Sequence, residues 1–500
     1  MATTSKSPHG VKTTTVAYEN FQGLDTSRSL TAQDTKTEQT LSLIENAYCD
    51  WRGQIVRDPG ASYREGKYMV VYAKHFAIGE SAWAERTGSG INLNSARGHI
   101  ASDVYPVNAT VSGCVFNQNL HFFARALPPY RYDGIKWSQN QSPDLQSLQP
   151  SYAAPVQRRM AVAGIPGKET QVHISRVDQE EIFPGDEDAA SNDVLRAGFI
   201  DIANQIGTAD QITGLASFEQ NRLVIFTSDR ALVFQIDPDI TAWTIDDRTN
   251  IHIGCISHNT IVNAGTDVIF CSRAGVHSIR RSQENGILVY SVSFSDKIDL
   301  LYREYFNSVP DKETISAVWD QDESQYHIFF PQAGGFLAKR LTLSLNPEGE
   351  APQPKWSTGD FLNARCGSFL SGQLLFGTPG GIYEIKKLDE EAETTPDSTI
   401  LTPMLWHGDF NNSKQTHSLI VQAAGKAIID VSAVDEEGRS LGSMSFEVDD
   451  TDDNRFIDVP LSSQYERKWE TRYRGAQYRV VVKEGNQIFR LMGIAVVLKG

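Results

Sequence analysis

Three stretches of the chain repeat one short pattern: an apolar strand ending in Phe, four turn residues, a small residue, then a second apolar strand. They run from Leu223-Val224-Ile225-Phe226 to Ala231-Leu232, from Val268-Ile269-Phe270 to Gly275-Val276, and from Leu374-Leu375-Phe376 to Gly381-Ile382. A looser copy runs from Ile328-Phe329-Phe330 to Gly335-Phe336. The four phenylalanines stand 44, 60 and 46 residues apart, in or near the range over which one four-stranded propeller blade recurs. A strand pair that exposes two apolar faces must cover both with copies of itself, so the repeat points to a closed or stacked β array.

The same texture extends beyond the clear copies. From Tyr68 onward, short apolar runs alternate with Gly, Asn, Asp and Pro, as in an all-β domain with many turns. Cys114-Val115-Phe116 and Leu120 to Phe123 read as a hairpin across Asn117-Gln118-Asn119, and Met160 to Ala163 pairs with Gln171 to Ile174 across a Pro-Gly turn. Taking Tyr72, Phe123, Ile174, Phe226, Phe270, Phe330 and Phe376 as one marker per blade predicts a β-propeller-like domain of six or seven blades over residues 67–390. Residues 134–157 and 184–212 break the pattern and read as excursions from its rim, the second with a helix over Asn192 to Gln205.

Residues 1–66 are rich in Thr, Ser, Gln and Asp and read as an N-terminal extended arm, with a short helix near Thr37 to Tyr48. An acidic linker over residues 391–402 precedes a different unit, 403–500. There, strand-length runs at His417–Ala424, Ala427–Val434, Gly442–Val448, Gln477–Lys483 and Ile488–Leu498, with a hairpin turn at Glu484-Gly485-Asn486, predict a C-terminal β-sandwich.

Charge limits the partners. Against 46 basic residues stand 62 acidic ones, a formal charge of −16, which disfavours general binding to nucleic-acid phosphates. The same sign suits a conduit that a polyanion must pass without sticking. Five scattered cysteines argue against a disulfide framework. The polar start, Met1 to Lys12, shows no secretory signal, and no apolar run is long enough to cross a bilayer as a helix.

Motifs of chemistry are weak. The turn that marks sialidases is missing: Ser142-x-Asp144 continues with Gln146 where glycine is required. Gly164-Ile165-Pro166-Gly167-Lys168-Glu169 has the wrong glycine spacing for a phosphate loop, and a glutamate where a hydroxyl belongs. Asp450, Asp452 and Asn454 start like a calcium loop, but Arg455 and Leu461 occupy its sixth and twelfth positions. His252 and His258 lack a third zinc ligand nearby. No catalytic residue, metal or cofactor is expected. The one basic and aromatic cluster, Arg467, Lys468, Trp469, Arg472, Tyr473 and Arg474, is interleaved with Glu466 and Glu470 and reads as a self-neutralised loop or a subunit interface.

Several longer stretches carry a resemblance. Asn20-Phe21-x-Gly23-Leu24-Asp25, Leu43 to Asn46 and Gly53-Gln54-Ile55-x-Arg57-x-Pro59-Gly60 resemble the opening segment of the nozzle, or tail-hub, proteins of short-tailed bacteriophages, with Asp58 as a small departure. Ile212 to Leu215, Asn221 to Phe226, Gly254 to Val262 and Asp267 to Val276 are similar to that family's middle. The resemblance covers roughly residues 20–390. It implies a homohexameric ring beneath portal and adaptor, a virion location, a channel for double-stranded DNA, attachment of fibres or tailspikes, and no catalysis. Loops would gate such a channel, and Asp186, Glu187, Asp188 and Asp193 are the gate candidates because they combine acidity with a break in the repeat. A carbohydrate-binding or adhesion propeller, and less so a glycoside hydrolase, are the alternatives.

Overall fold

A computed structural model describes residues 2–6, 12–27, 40–50, 52–66, 69–76, 80–184, 193–206, 210–246, 252–265, 267–281, 288–290, 293–333, 337–345, 354–370, 372–387, 390–407, 413–450, 456–460, 473–483 and 489–499. Among them, six four-stranded antiparallel sheets stand in a ring, and a curled larger sheet carries the remaining strands. The all-β, propeller-like reading holds.

In chain order the first five blades are Met69–Phe76 to Ile100–Tyr105, Val111–Phe116 to Trp137–Gln139, Tyr152–Val156 to Gly198–Asp201, Ile212–Phe218 to Thr244–Ile245, and Val262–Ala264 to Leu288–Tyr290. The last comprises Cys366–Leu370, Gln373–Thr378 and Gly381–Ile385. Between the fifth and last, the ring is filled by Ser316–Asp320, Gln325–Pro331, Ala338–Ser344 and Lys355–Gly359, four strands of blade form that belong to the larger sheet. The innermost strands touch in sequence around the ring, and Cys366–Leu370 meets Met69–Phe76 to close it.

The repeated apolar run is the second strand of a blade. Asp267–Ser272 is buried at every position, and Arg222–Thr227 at all but its first, because neighbouring blades cover both faces of a middle strand. Phenylalanines of the second strands form contacts between blades: Phe226 packs on Phe270 with ring centroids 4.7 Å apart, and Phe329, the neighbour of the marker Phe330, on Phe376 at 5.1 Å. The three clear runs each end in a hydroxyl that builds the turn. Thr227, Ser272 and Thr378 accept from the amides of Arg230, Ala274 and Gly380 at 3.0, 3.0 and 3.1 Å.

Local turn chemistry sets the expected hairpins. Asn117 and Gln118 both take positive φ, 45° and 64°, in the tight turn between Phe116 and Asn119, the backbone twist that two-residue hairpins favour. Met160–Ala163 pairs with Gln171–Ile174 as read, through Ala161 opposite Ile174. The two supposed excursions are largely blade. Residues 134–157 hold an outer strand, Trp137–Gln139, a short helix, Pro143–Leu148, and an inner strand, Tyr152–Val156. In the described part of 184–212, a strand at Gly198–Asp201 replaces the expected helix.

The N-terminal segment is woven into both units. Lys12–Glu19 pairs with Gly493–Lys499, Leu43–Glu45 with Ser398–Leu401, and Ile55 and Val56 with Leu491 and Arg490. Ala61–Glu65 then supplies the fourth strand of the last blade, running antiparallel to Gly381–Ile385. Short strands, Leu43–Glu45 and Ala47–Cys49, stand where part of a helix was expected.

Within the terminal unit, the runs read as two strands are one: Gln415–Asp435 is continuous over 21 residues. Ser440–Asp450 and Phe456–Pro460 lie along it, as do Ala476–Lys483 and Phe489–Lys499. The strands on either side of 484–488 therefore pair with this central strand and do not form a hairpin with each other. The turn residues Glu484, Gly485 and Asn486 fall outside the described residues. The sheet curls around a core that includes Tyr18, Ile44, Val421, Ile429, Tyr478 and Val496.

Candidate functional site

Alternate connections of an antiparallel blade emerge on opposite faces of the ring. On one face, the links into the inner strands gather with the turns after the second strands around the propeller axis. They enclose a cleft of about 310 Å³. Arg86 reaches it from the end of a second strand in the first blade, and Arg365 from the residue just before the inner strand of the last. Asn259 lies on a 3-10 turn, His258–Thr260, and Asp311 caps another, Lys312–Thr314, accepting from the Glu313 amide at 3.0 Å.

The electrostatics of this cleft are dominated by two guanidiniums. Arg365 is buried, and burial together with the nearby Arg86 charge pushes it down to about 10. Arg86 is lowered by burial and opposed by Asp311. Its Nε is buried without a hydrogen-bond partner among the described residues. Beside the cleft, Arg125 and Glu313 form an exposed ion pair at 3.5 Å.

A second cleft, about 320 Å³, lies where the N-terminal segment crosses the junction of propeller and curled sheet. Arg57 and Asp58 anchor that crossing. Arg57 Nε donates to the Pro396 carbonyl at 2.9 Å, while the buried Asp58 carboxylate pairs with the buried Arg340 guanidinium. Arg340 also lies over the Phe376 ring, 5.5 Å from its centroid. His327 Nδ1 is 3.0 Å from Thr342 Oγ1, and burial, reinforced by the Arg340 charge, holds its ring neutral well below the usual histidine range. Asp320, Asp322, Glu323, Lys386 and Lys387 supply further charge to the lining, with Lys387 Nζ 3.2 Å from Asp322 Oδ2. Among the described residues, no group of three His, Cys, Asp or Glu side chains is placed to hold a metal ion.

The residues singled out by sequence go elsewhere. Asp186, Glu187 and Asp188 fall outside the described residues, as do Arg467, Lys468, Trp469 and Arg472. Asp193 lies in the link between the third and fourth strands of its blade, on the face opposite the axial cleft. Its carboxylate pairs with Arg176 and accepts from the Leu195 amide at 2.9 Å. Tyr473, an interface candidate, is instead buried in the terminal core, its ring edge-on to His407 at 6.2 Å. Arg474 is exposed, and its backbone amide donates to Glu436 at 3.2 Å.

Neither Arg86 nor Arg365 carried a sequence signal. Both follow from the blade frame: one stands at the end of a second strand, the other just before an inner strand, and such positions meet at the axis of any propeller.

No family model and no curated protein matches the chain. Solved structures with a similar course include a streptogramin B lyase, at 10% identity over 65% of this chain and 95% of that one, with a TM-score of 0.37. The extracellular domain of a hybrid two-component system from B. thetaiotaomicron matches at 9% identity over 91% of this chain and 63% of that one, with a TM-score of 0.40. A family 43 arabinoxylan arabinofuranohydrolase from Bacillus subtilis matches at 11% over 85% and 95%, with a TM-score of 0.30. Likeness at this level carries no function across.

Proposed function

We propose that this chain is a structural subunit of a short phage tail, a nozzle that forms a homohexameric ring, extends the portal and adaptor channel, retains and then conducts the genome, and anchors fibres or tailspikes. The observation that carries this reading is the pairing of the described strands between residues 12 and 65, the region whose motifs resemble the opening of that family. Strands of this segment join the curled sheet, and its last strand closes the last blade. Propeller and terminal sheet cannot separate without breaking several strand ladders, and a wall that holds its bore against pressurised DNA needs that stiffness.

The charge of −16 supports passage of DNA without adhesion, since a negative lumen repels the polymer over about a Debye length, roughly 8 Å at physiological salt. Ring assembly would repeat one heterologous contact around a closed axis. Electron microscopy of the purified protein, alone and mixed with its adaptor complex, tests the reading. A six-fold ring with an open bore is the expected image. A monomer in both samples, joined by selective capture on a glycan array or by glycosidase turnover, would replace the conduit with the adhesion or hydrolase reading.

A further inference from the structure

We infer that the axial cleft is a binding site for a small ligand bearing a carboxylate or phosphate, held between Arg86 and Arg365. The site does not depend on the tail reading, because it belongs to a single propeller and not to the bore of a ring.

Two like charges are brought to one cleft by opposite ends of the ring closure, one from the first blade and one from the last. Arg365 is 5% exposed, and Asp311 is the one carboxylate among the described residues that line the cleft. Two guanidiniums brought to one cleft repel each other and each loses hydration on burial, an arrangement that an oxyanion relieves by neutralising both. Guanidinium forks also match the two oxygens of a carboxylate or the edge of a phosphate, which a lysine cannot do.

The surroundings set the size and the rest of the ligand. A volume of about 310 Å³ sits at the small end of ligand pockets and admits a single sugar-sized molecule, not a polymer. Asn108, Thr110 and Gln332 add amide and hydroxyl groups to the wall, and Pro310 and Pro331 add apolar surface, a mixture suited to a hydroxylated acid. The chain as a whole is strongly acidic, so this concentration of positive charge at its axis works against the global field and selects an anion locally.

Calorimetric titration of the full chain with glucuronate, with inorganic phosphate and with neutral glucose tests the assignment. Saturable binding of glucuronate or phosphate, weakened by added salt and absent for glucose, is the expected result; which anion binds identifies the acid as carboxylate or phosphoryl. Arg86→Gln should weaken that binding by roughly tenfold to a hundredfold, the loss of one charge-assisted contact. Arg86→Lys should restore part of it, keeping the charge without the fork. Because Arg86 ends a strand and its Nε has no hydrogen-bond partner among the described residues, the variant is expected to fold, and an unchanged melting temperature without ligand checks this. Arg365→Gln provides a second reading from the other blade. Absence of binding by both anions at millimolar concentration, equal binding of glucose, or affinity unaltered in both glutamine variants would overturn the site.

Discussion

Replacing Asp58 by alanine should loosen the crossing of the N-terminal segment while leaving the rest of the ring intact. Asp58 and Arg340 lie 282 residues apart in sequence and pair at the junction, with side chains 8% and 7% exposed. Removing one member of a buried ion pair strands the other charge and costs about 3–5 kcal/mol. The backbone contacts of the segment remain: the Asp58 amide still donates to the Asn46 carbonyl, and Arg57 still holds Pro396. The loss therefore falls on local opening of the strand that follows, Ala61–Glu65, and of its partner, Gly381–Ile385. At about 1.4 kcal/mol per factor of ten, their amides should exchange with deuterium about a hundredfold faster or more. Amides of Ile212–Thr227, deep in another blade, should keep their protection. Adding Arg340→Met to Asp58→Ala removes the stranded charge and retains bulk over Phe376, so the double variant should recover most of the protection. Exchange at 61–65 that rises less than about threefold in the single variant, or a double variant no better than the single, would refute the claim that this pair pins the closure.

Two further outcomes follow from the same framework. Gly381 has φ of 133°, and a Cβ there would lie 2.9 Å from the Glu65 carbonyl oxygen and the Tyr63 ring; Gly381→Val should destabilise the last blade by at least the roughly 1–3 kcal/mol of backbone strain, seen as faster proteolytic release of the first 66 residues, whereas Gly88→Ala, with open space around it and no positive φ, should change release little. Burial is the main cause that holds His407 to about 3 and His173 and His277 to about 4. The unfolded chain takes up these protons near pH 6.5 and the folded one does not, so stability is full above that pH and falls as pH drops toward 4, by about 1.4 kcal/mol per unit per histidine. Urea midpoints of His173→Gln should show a shallower decline over that window; an identical slope would count against burial of a neutral ring.

Much of the ring was legible because its units are local. A hairpin such as 114–123 is built from residues within ten positions of one another, and its turn chemistry, Asn117-Gln118, is written beside it. The second-strand runs stand out because both of their faces are covered, leaving no polar alternation to disguise them. Marker positions were less regular than the strands they counted: Phe226, Phe270, Phe330 and Phe376 share the second strand, but Tyr72 falls on a first strand and Ile174 on a third. The error arises because one apolar residue can face a neighbouring blade from any of the inner three strands.

The terminal unit was harder. A period of two cannot reveal that Gln415–Asp435 runs unbroken, since Gly425, with φ of 103°, interrupts the apolar pattern as a turn would while the strand continues through it. Excursions and blade strands were confused for a related reason. Outer strands such as Trp137–Gln139 and Gly198–Asp201 are short and half exposed, so their composition matches that of loops.

By itself, then, the order of residues determined the class of fold, the repeat and the tight turns, all of which rest on interactions between near neighbours and on the burial of two-faced strands. Only the folded chain decided which strand closes the last blade, which charge Asp58 meets and which arginines share the axis. Those pairings join residues hundreds of positions apart, where no spacing in the sequence encodes distance and only the closing of the ring brings them together.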